Sequence, residues 1–348
     1  MAIAAAEGNV KEHVTMQEDT QPLRRGRAVK KKRKKRRFVK LFILLPLIFV
    51  LSTAAGYGAF LYKKAETVFT GSYVDDGREK SPLRDAEVHP LRDNISILFI
   101  GLDESDVREE NGDSNGWRSD ALMLATLNVE DKSIKLLSIP RDTYTYIPEV
   151  GYETKINHAY AFGGPAATVE SVEELLDVPV DYYVRMNFKA FMDVVEALDG
   201  IEYDVPFKLS EKDSNDVHNA IQLEPGLQHL NGEEALALAR TRQYDNDIER
   251  GKRQQELLQT VVKEALSLNS VTKYDETLEA IGTNMRTNMT FSELRSLLHY
   301  GGNGSVEFET LTLKGTDGRM SNGAYIYELD EAQLQEIQHT LAKHLELD

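Results

Sequence analysis

The sequence predicts an α/β fold, in which one domain forms a mixed-sheet α/β/α sandwich behind a single N-terminal transmembrane helix. Three observations support this prediction. From residue 94 onward, short apolar runs typical of buried strands alternate with segments of helical periodicity. Leu41–Tyr62 is a stretch of 22 residues without a charged side chain. Immediately before it, Lys30–Arg37 consists of eight consecutive Lys or Arg residues.

The uncharged stretch is long enough to cross a bilayer. As a helix it would measure about 33 Å, against about 30 Å for the hydrocarbon core. The basic run predicts that residues 1–40 are cytoplasmic, because Lys and Arg accumulate on the cytoplasmic side of a span. We therefore expect a single-pass type II protein of the cell membrane, with residues 41–62 as its uncleaved anchor. The alternative is a cleaved signal peptide, whose apolar region is usually shorter, about 7–15 residues.

The charge of the chain is divided between its two ends. Residues 1–40 contain 13 Lys or Arg and 4 Asp or Glu, whereas residues 65–348 contain 26 basic and 53 acidic residues. The basic run alone could be a nuclear-localisation signal, a nucleic-acid-binding segment or a membrane-orienting flank, but the uncharged stretch after it favours the flank, so no nucleic-acid partner is expected. The chain has no cysteine, which excludes thiol chemistry and cysteine-ligated zinc.

The elements of the external part follow from the hydrophobic pattern. Residues 63–93 are charged and contain Pro82 and Pro90, so they are predicted to form a juxtamembrane linker before a domain at 94–348. The predicted strands are Ile95–Ile100, Ala121–Leu127, Ser133–Ile139, Val180–Val184, Ile201–Val205, Val306–Leu313 and Ala324–Leu329. The predicted helices are Ala166–Leu176, Phe188–Leu198 (with Asn187 as N-cap), Asn231–Ala239, 247–268, Tyr274–Ile281, Phe291–Leu298 and a C-terminal helix from Asp330.

Acidic and basic side chains gather where the first three predicted strands begin or end. They are Asp103, Arg118, Asp120, Arg141 and Asp142. Sites in open α/β sheets form at strand ends, and a pair of carboxylates there suits Mg²⁺, which binds one or two carboxylates together with phosphate oxygens and waters. Any one of these residues alone would be read as a turn former or a helix cap.

A second cluster lies at 240–255, where a domain of net negative charge carries Arg240, Arg242, Arg250, Lys252 and Arg253 in 14 residues. A solvated helix face paired with neighbouring Asp and Glu is one interpretation. The other is an anion site, because Arg binds phosphate in a bidentate way. Several Arg residues together with Mg²⁺ would match a diphosphate.

The spacing within this cluster makes a structural prediction. If Arg240 and Arg242 face one anion, residues 240–242 must be extended. Side chains two residues apart point the same way in an extended chain but not in a helix. Arg250 and Gln254 are four apart, so a helix starting near Asp247 places them on one face. His158 is read equally as a general base or as a structural histidine.

These segments resemble the LytR-CpsA-Psr family of bacterial cell-wall transferases. The resemblance covers about residues 95–260 and rests on segments in the family's order: Ile100-Gly101-Leu102-Asp103, Trp117-Arg118-Ser119-Asp120, Ser138-Ile139-Pro140-Arg141-Asp142, Lys155–Tyr160, Leu230–Leu236, Ala239-Arg240-Thr241-Arg242 and Arg250–Gln255. The chain lacks the sequence motifs of P-loop, Rossmann, zincin and serine-hydrolase enzymes.

The resemblance implies a phosphotransferase of a Gram-positive-type bacterium. It would move an anionic glycopolymer, such as wall teichoic acid, from an undecaprenyl diphosphate carrier in the membrane lipid to N-acetylmuramic acid of peptidoglycan. It implies further that Asp103 and Asp120 hold Mg²⁺. The implied diphosphate ligands are Arg118, Arg141, Arg240, Arg242 and Arg250, with Arg253 and Gln254 beside them in the second cluster.

Phosphoryl transfer requires positioning and charge neutralisation more than a covalent nucleophile. The acceptor hydroxyl needs a base, for which Asp142 and a metal-bound Asp are both candidates. Two other functions fit the same residues. One is a pyrophosphatase acting on polyprenyl diphosphates, and the other is a noncatalytic regulator that binds envelope polymer through its Arg cluster.

Overall fold

The computed structural model describes residues 52–53, 55–102, 117–242, 247–267, 282, 284–301 and 306–347. The chain divides into two compact units, Met1–Gly58 and Ala59–Asp348. The described residues of the first unit, 52–53 and 55–58, are helical. Most of the predicted anchor, 41–62, lies outside the described residues. Within the described ranges, no helix is both long and apolar enough to cross a membrane.

The second unit is built on a six-stranded mixed sheet, and the predicted α/β class is confirmed. The strands of this sheet are β1 Ile95–Leu102, β2 Ser119–Asn128, β3 Ser133–Ile139, β6 Tyr182–Asn187, β11 Met285–Thr287 and β12 Glu307–Thr312. Their order in the sheet is β11-β6-β1-β2-β3-β12. The central strands β1, β2 and β3 run antiparallel to one another, whereas β6 is parallel to β1 and β12 is parallel to β3.

Four hairpins or strand pairs surround this sheet. They are β4–β5, β7–β10, β8–β9 and β13–β14, each antiparallel. Their strands are β4 Tyr144–Ile147, β5 Tyr152–Lys155, β7 Ile201–Val205, β8 Leu209–Glu211, β9 Ile221–Leu223, β10 Gly226–Leu230, β13 Gly315–Arg319 and β14 Tyr325–Leu329.

Seven helices are seen in the described part of the chain. They are α1 at 55–72, α2 His158–Leu176, α3 Phe188–Ala197, α4 Gly232–Arg240, α5 Asp247–Ser267, α6 Phe291–Gly301 and α7 Glu331–Leu345. Asn187 and Asp330 cap α3 and α7 by accepting from the backbone N–H three residues on, as the sequence predicts for Asn187.

Alternating side chains of the central strands build a core on each face of the sheet. On one face, Leu98 and Ile100 of β1 pack with buried apolar residues of α2 and α7. On the other, Ile95 and Ile97 pack in a cluster that also holds side chains of α1, α5 and α6. Because neighbouring strand residues point to opposite faces, a strand buried on both sides reads as the continuous apolar run seen in the sequence.

A third core lies beside the sheet. Apolar residues of α3, α4 and α5 pack there against β7, β8, β9 and β10. Helix α5 belongs to both this cluster and the main sheet, because Leu257 and Val261 face the third core while Leu258 packs with the sheet. The helix that carries Arg250, Lys252 and Arg253 of the second basic cluster is therefore fixed on two sides.

Most predicted elements are found, with differences at their ends. Ser133–Ile139 and Ile201–Val205 match in full, whereas α2 begins at His158 instead of the predicted Ala166. The difference has a local cause, since α2 is kinked where Gly163 and Gly164 leave helical geometry and Pro165 follows. Gly164 adopts φ 65°, which favours glycine. The predicted helix Tyr274–Ile281 lies outside the described residues.

The predicted linker, 63–93, is part of the second unit and packs on it. Arg84 forms an ion pair with Asp181 at 2.7 Å, and Arg78 lies 3.2 Å from Glu173. The Tyr182 hydroxyl donates to the carbonyl of Val88. The charged residues that suggested a solvated linker instead pair with the domain, so this unit begins well before residue 94.

Candidate active site

The strand register brings Asp120 and Arg141 together. Leu122 of β2 pairs with Ile139 of β3 in an antiparallel ladder. Two residues further toward the same edge of the sheet, Asp120 and Arg141 therefore lie across from each other, and their side chains form an ion pair. Two residues that the sequence placed near separate strand ends are thus neighbours. The edge of the sheet at which they meet is the edge at which β1 pairs Leu102 with Ser119.

A chain of charges continues from this pair along the end of β3. Arg141 Nε lies 3.5 Å from the Asp142 carboxylate, which accepts from Lys155 Nζ at 2.7 Å. The nearby carboxylates of Asp120 and Asp142 raise the pKa of Arg141, although burial, the largest effect, acts against them. Lys155 comes from the end of β5, so the β4–β5 hairpin returns onto the loop after β3. From the sequence, Lys155 was singled out only as the first residue of the matching segment Lys155–Tyr160 and was given no role in the site.

Helix α5 begins beside the same loop. A side chain at Gly251 would collide with Ser138 of β3, so glycine permits this close approach. Gln255, one turn further, donates to the Leu136 carbonyl at 2.7 Å and to the Leu311 carbonyl at 2.9 Å. These contacts fix the first turn of α5 at the edge of the site.

The first turn of α5 holds a buried cation. Arg250 is 4% exposed and its guanidinium lies 2.9 Å from Asp247, which also lies 3.7 Å from Arg242 Nε. Burial lowers the pKa of Arg250 to about 10. The charges of Arg242 and Arg141 act in the same direction and Asp247 opposes them. Arg250 remains a cation at neutral pH, among other cations, and an anion bound there would relieve this repulsion.

Arg118 and His158 lie on the β5 side of the site. Burial lowers the pKa of His158, and the positive charges of Arg118 and Lys155 lower it further against the opposing charge of Asp142. The imidazole is therefore neutral at pH 7, with Nδ1 3.0 Å from the Thr154 hydroxyl. This contact and the neutral ring fit both the base and the structural interpretation of His158.

Arg240 is placed differently from the prediction of an extended 240–242 segment. Helix α4 continues through Arg240, and Thr241 is the first extended residue at φ −59° and ψ 143°. The Arg240 guanidinium donates to the carbonyls of Lys212 and Asp213. Arg240 and Arg242 therefore do not form the predicted strand-like pair, although the helix does end before residue 245. Arg242 itself is 47% exposed and points toward Asp247.

Arg253 and Gln254 donate hydrogen bonds to backbone carbonyls at the end of α4. Arg253 is 4% exposed and donates to the carbonyls of Leu238 and Thr241, and Gln254 donates to the carbonyl of Ala239. The predicted helix at Asp247 is confirmed, and the Gln254 amide nitrogen is engaged with the end of α4. The last carbonyls of a helix need donors. The sequence indicates this need, because no Gly or Asn directly follows Arg240, the last residue of α4.

A cavity of about 240 Å³ opens beside these charges. It lies between the loop after β3, the start of α5 and the β13–β14 hairpin. Its lining residues are Pro140, Asp142, Asp247, Ile248, Gly315, Asp317, Tyr325 and Tyr327. The backbone N–H of Tyr327 donates to the Asp142 carbonyl at 2.8 Å, which ties the hairpin to the site. These tyrosines were not predicted from the sequence, because they come from a hairpin about 180 residues beyond Asp142.

The described residues supply one of the two predicted metal ligands. Asp120 has a side chain that is 26% exposed and is neutralised on one side by Arg141. Asp103 lies outside the described residues, and within those described no group of three or more acidic or His side chains is arranged to hold a metal. A single accessible carboxylate fits Mg²⁺, which is often held by one or two carboxylates plus phosphate oxygens and water.

Comparison with known proteins places this site in context. The family model described as the LytR_cpsA_psr family matches residues 60–343. The Bacillus subtilis polyisoprenyl-teichoic acid–peptidoglycan teichoic acid transferase TagT is 37% identical over 92% of this chain and 98% of its own length. An uncharacterised Staphylococcus aureus protein is 42% identical over 89% of this chain and 77% of its own length.

Solved structures of TagT are also similar to this chain. TagT bound to LIIa-WTA superposes with a TM-score of 0.66 at 36% identity, covering 78% of this chain and 98% of that one. TagT with bound octaprenyl pyrophosphate lipid superposes with a TM-score of 0.62 at 34% identity, with the same coverage. Because the family model spans most of the sequence and TagT matches over nearly its whole length, the chain belongs to the LytR-CpsA-Psr family.

Proposed function

We propose that this protein is a transferase that moves an anionic glycopolymer, such as wall teichoic acid, from undecaprenyl diphosphate to N-acetylmuramic acid of peptidoglycan. The relatives that cover almost the whole chain are named as teichoic acid transferases. The related structure of TagT holds an octaprenyl pyrophosphate lipid. The names of these relatives thus include peptidoglycan, the acceptor of the proposed reaction. The lipid in the TagT structure is a polyprenyl diphosphate, like the proposed carrier.

One observation carries the proposal in this chain. Arg250 is a buried cation at the start of a long helix, with Arg141 and Arg242 close enough to lower its pKa. Asp247 and Asp120 already pair with these guanidinium groups, and a bound anion would add to that neutralisation. A diphosphate provides such an anion, and the guanidinium groups are the donors that recognise it.

The residues divide into two proposed roles. Arg118, Arg141, Arg242 and Arg250 bind the diphosphate of the donor, and Asp142 acts on the acceptor hydroxyl. Arg240, Arg253 and Gln254 were expected to bind the diphosphate as well, but their contacts to backbone carbonyls favour a positioning role, in which they fix the segment that presents Arg242.

Asp103 and Asp120 are proposed to hold Mg²⁺. A bound Mg²⁺ would supply positive charge to the diphosphate oxygens. The ion pair between Asp120 and Arg141 already places a carboxylate next to a phosphate-binding guanidinium.

The proposed reaction is a single transfer at phosphorus. The acceptor hydroxyl oxygen forms a bond to the phosphorus that carries the glycopolymer, and the bond from that phosphorus to the bridging oxygen breaks. The hydroxyl proton goes to the base, and polyprenyl monophosphate leaves. Arg141 and Arg250 stabilise the negative charge that develops on the leaving phosphate. The catalytic domain is proposed to lie outside the cell membrane, which residues 41–62 would cross.

A direct assay tests the function. The full-length protein in detergent is given a synthetic lipid diphosphate-linked glycopolymer, Mg²⁺ and peptidoglycan oligomers. A covalent conjugate linked by a phosphodiester is expected. Release of a phosphate-terminated glycan alone would identify a pyrophosphatase, and donor binding without any turnover would identify a noncatalytic polymer-binding protein.

A further inference from the structure

The cavity beneath the β13–β14 hairpin has a lining unlike that of the Arg cluster. Its polar groups include the carboxylates of Asp142, Asp247 and Asp317, and its aromatic groups are Tyr325 and Tyr327. Carboxylate oxygens accept hydrogen bonds and repel phosphate, whereas hydroxyl groups donate to them. The cavity therefore suits an uncharged, hydroxyl-rich group better than a diphosphate.

Tyr325 presents a fixed aromatic ring in this cavity. Its hydroxyl donates to Asp317 at 2.9 Å, which sets the angle of the ring across the hairpin. Lys155 Nζ lies 5.8 Å from the ring centroid. The residue is nevertheless 36% exposed. An exposed aromatic ring held by hydrogen bonding and by a neighbouring cation is suited to stacking against the apolar face of a pyranose ring.

The cavity lies beside the proposed base and the proposed diphosphate ligands. Asp142 lines the cavity and pairs with Arg141 and Lys155, and Asp247 lines it and pairs with Arg250. A group in the cavity is therefore next to Asp142 on one side and to the diphosphate site on the other. At about 240 Å³, the cavity is smaller than the roughly 300–1,000 Å³ of sites that enclose a whole small molecule. It suits one residue of a longer chain.

We propose that this cavity binds one sugar residue of the saccharide acceptor, with Tyr325 stacked on its ring and its reacting hydroxyl directed toward Asp142. This inference rests on the proposed function and adds the location of the acceptor. The two substrates then bind to different sets of side chains. Guanidinium groups hold the anionic donor, whereas carboxylates and a tyrosine ring hold the neutral sugar ring.

The test measures the two substrates separately in the conjugation assay with the full-length protein. Tyr325→Ala is expected to raise the KM for peptidoglycan oligomer about tenfold, in line with the loss of one aromatic contact, while the KM for the lipid-linked donor changes less than twofold. Tyr325→Leu keeps apolar volume without a planar face and should show the same rise. Tyr325→Phe keeps the ring and should raise the acceptor KM by no more than about threefold.

Tyr152→Ala is the matched control, because Tyr152 is 52% exposed and does not line the cavity. It should leave both KM values as in the wild type. An unchanged acceptor KM in Tyr325→Ala and Tyr325→Leu would overturn the inference, as would a rise in the donor KM of the same size. A wild-type protein that forms no conjugate would instead overturn the proposed function, so the two failures are distinguishable.

Discussion

Lys155 Nζ lies 2.7 Å from the carboxylate of Asp142, and this ion pair joins the end of β5 to the loop that follows β3. The Asp142 side chain is only 8% exposed, and Arg141 lies 3.5 Å from it on the other side. The pair therefore holds the proposed base at the wall of the cavity.

Asp142→Asn should lower kcat by about 10²–10⁴-fold, the usual contribution of a general base. The amide retains the shape of the side chain and cannot take the acceptor proton. Single-turnover conjugation at saturating donor and acceptor measures the effect, and thermal unfolding checks that the variant is folded. Activity within threefold of the wild type would transfer the role of base to a metal-bound Asp.

Arg242→Lys should cost about 1.5–3 kcal/mol of transition-state stabilisation, the range for a hydrogen bond to a charged group. Lys keeps the charge but loses the bidentate fork that matches phosphate. The ratio of kcat/KM values for the lipid-linked donor gives the loss. Lys252→Arg is the control, because Lys252 is equally exposed near the start of α5 and pairs with Glu249. Full activity in Arg242→Lys would remove this residue from the donor site.

Asp103→Asn combined with Asp120→Asn should abolish the Mg²⁺ dependence of conjugation, because both proposed carboxylate ligands become amides. Activity is measured against Mg²⁺ concentration with the wild type in parallel. The control is Asp193→Asn, whose partner Lys189 is on the surface of α3. A double variant with the Mg²⁺ dependence of the wild type would place the metal at other residues.

His344 should make the stability of the domain depend on pH. It is 6% exposed and contacts the hydroxyls of Thr126 and Ser133 at 2.8 Å. Burial lowers its pKa from 6.5 to about 4. Between these values the unfolded chain binds a proton that the folded protein does not, so stability falls as the pH falls. The slope from this group approaches about 1.4 kcal/mol per pH unit.

The effect is measured by urea unfolding between pH 7.5 and pH 4. In His344→Gln, the unfolding free energy should fall less steeply over this window than in the wild type. His339→Gln, at an exposed position of the same helix, should follow the wild-type curve. Parallel curves for wild type and His344→Gln would show that His344 does not carry the pH dependence.

The topology is tested with protease added to intact protoplasts. Residues 65–348 should be digested and residues 1–40 protected, since the basic run Lys30–Arg37 is expected to remain in the cytoplasm. Antibodies against each end of the chain distinguish the fragments. Loss of the N-terminal epitope with an intact C-terminal domain would reverse the proposed orientation.

The sequence alone was sufficient to predict the class of fold and some of the residues that meet at the site. Ser133–Ile139 was predicted without error because a central strand buried on both faces leaves a continuous apolar run. Asp120 and Arg141 were found because they border such runs, and the start of α5 at Asp247 was found from the spacing of its residues. These features are local, and local patterns determine them.

Only the tertiary structure decided which charged residues meet. Arg253 and Arg250 are three residues apart and alike in sequence, but one donates to the end of α4 and the other faces Asp247 at the site. Lys155 and Tyr325 join the site from distant hairpins through the pairing of strands. Each Arg or Tyr satisfies its polar groups with whichever partner the packed elements bring within reach, and that choice depends on contacts between residues far apart in the chain.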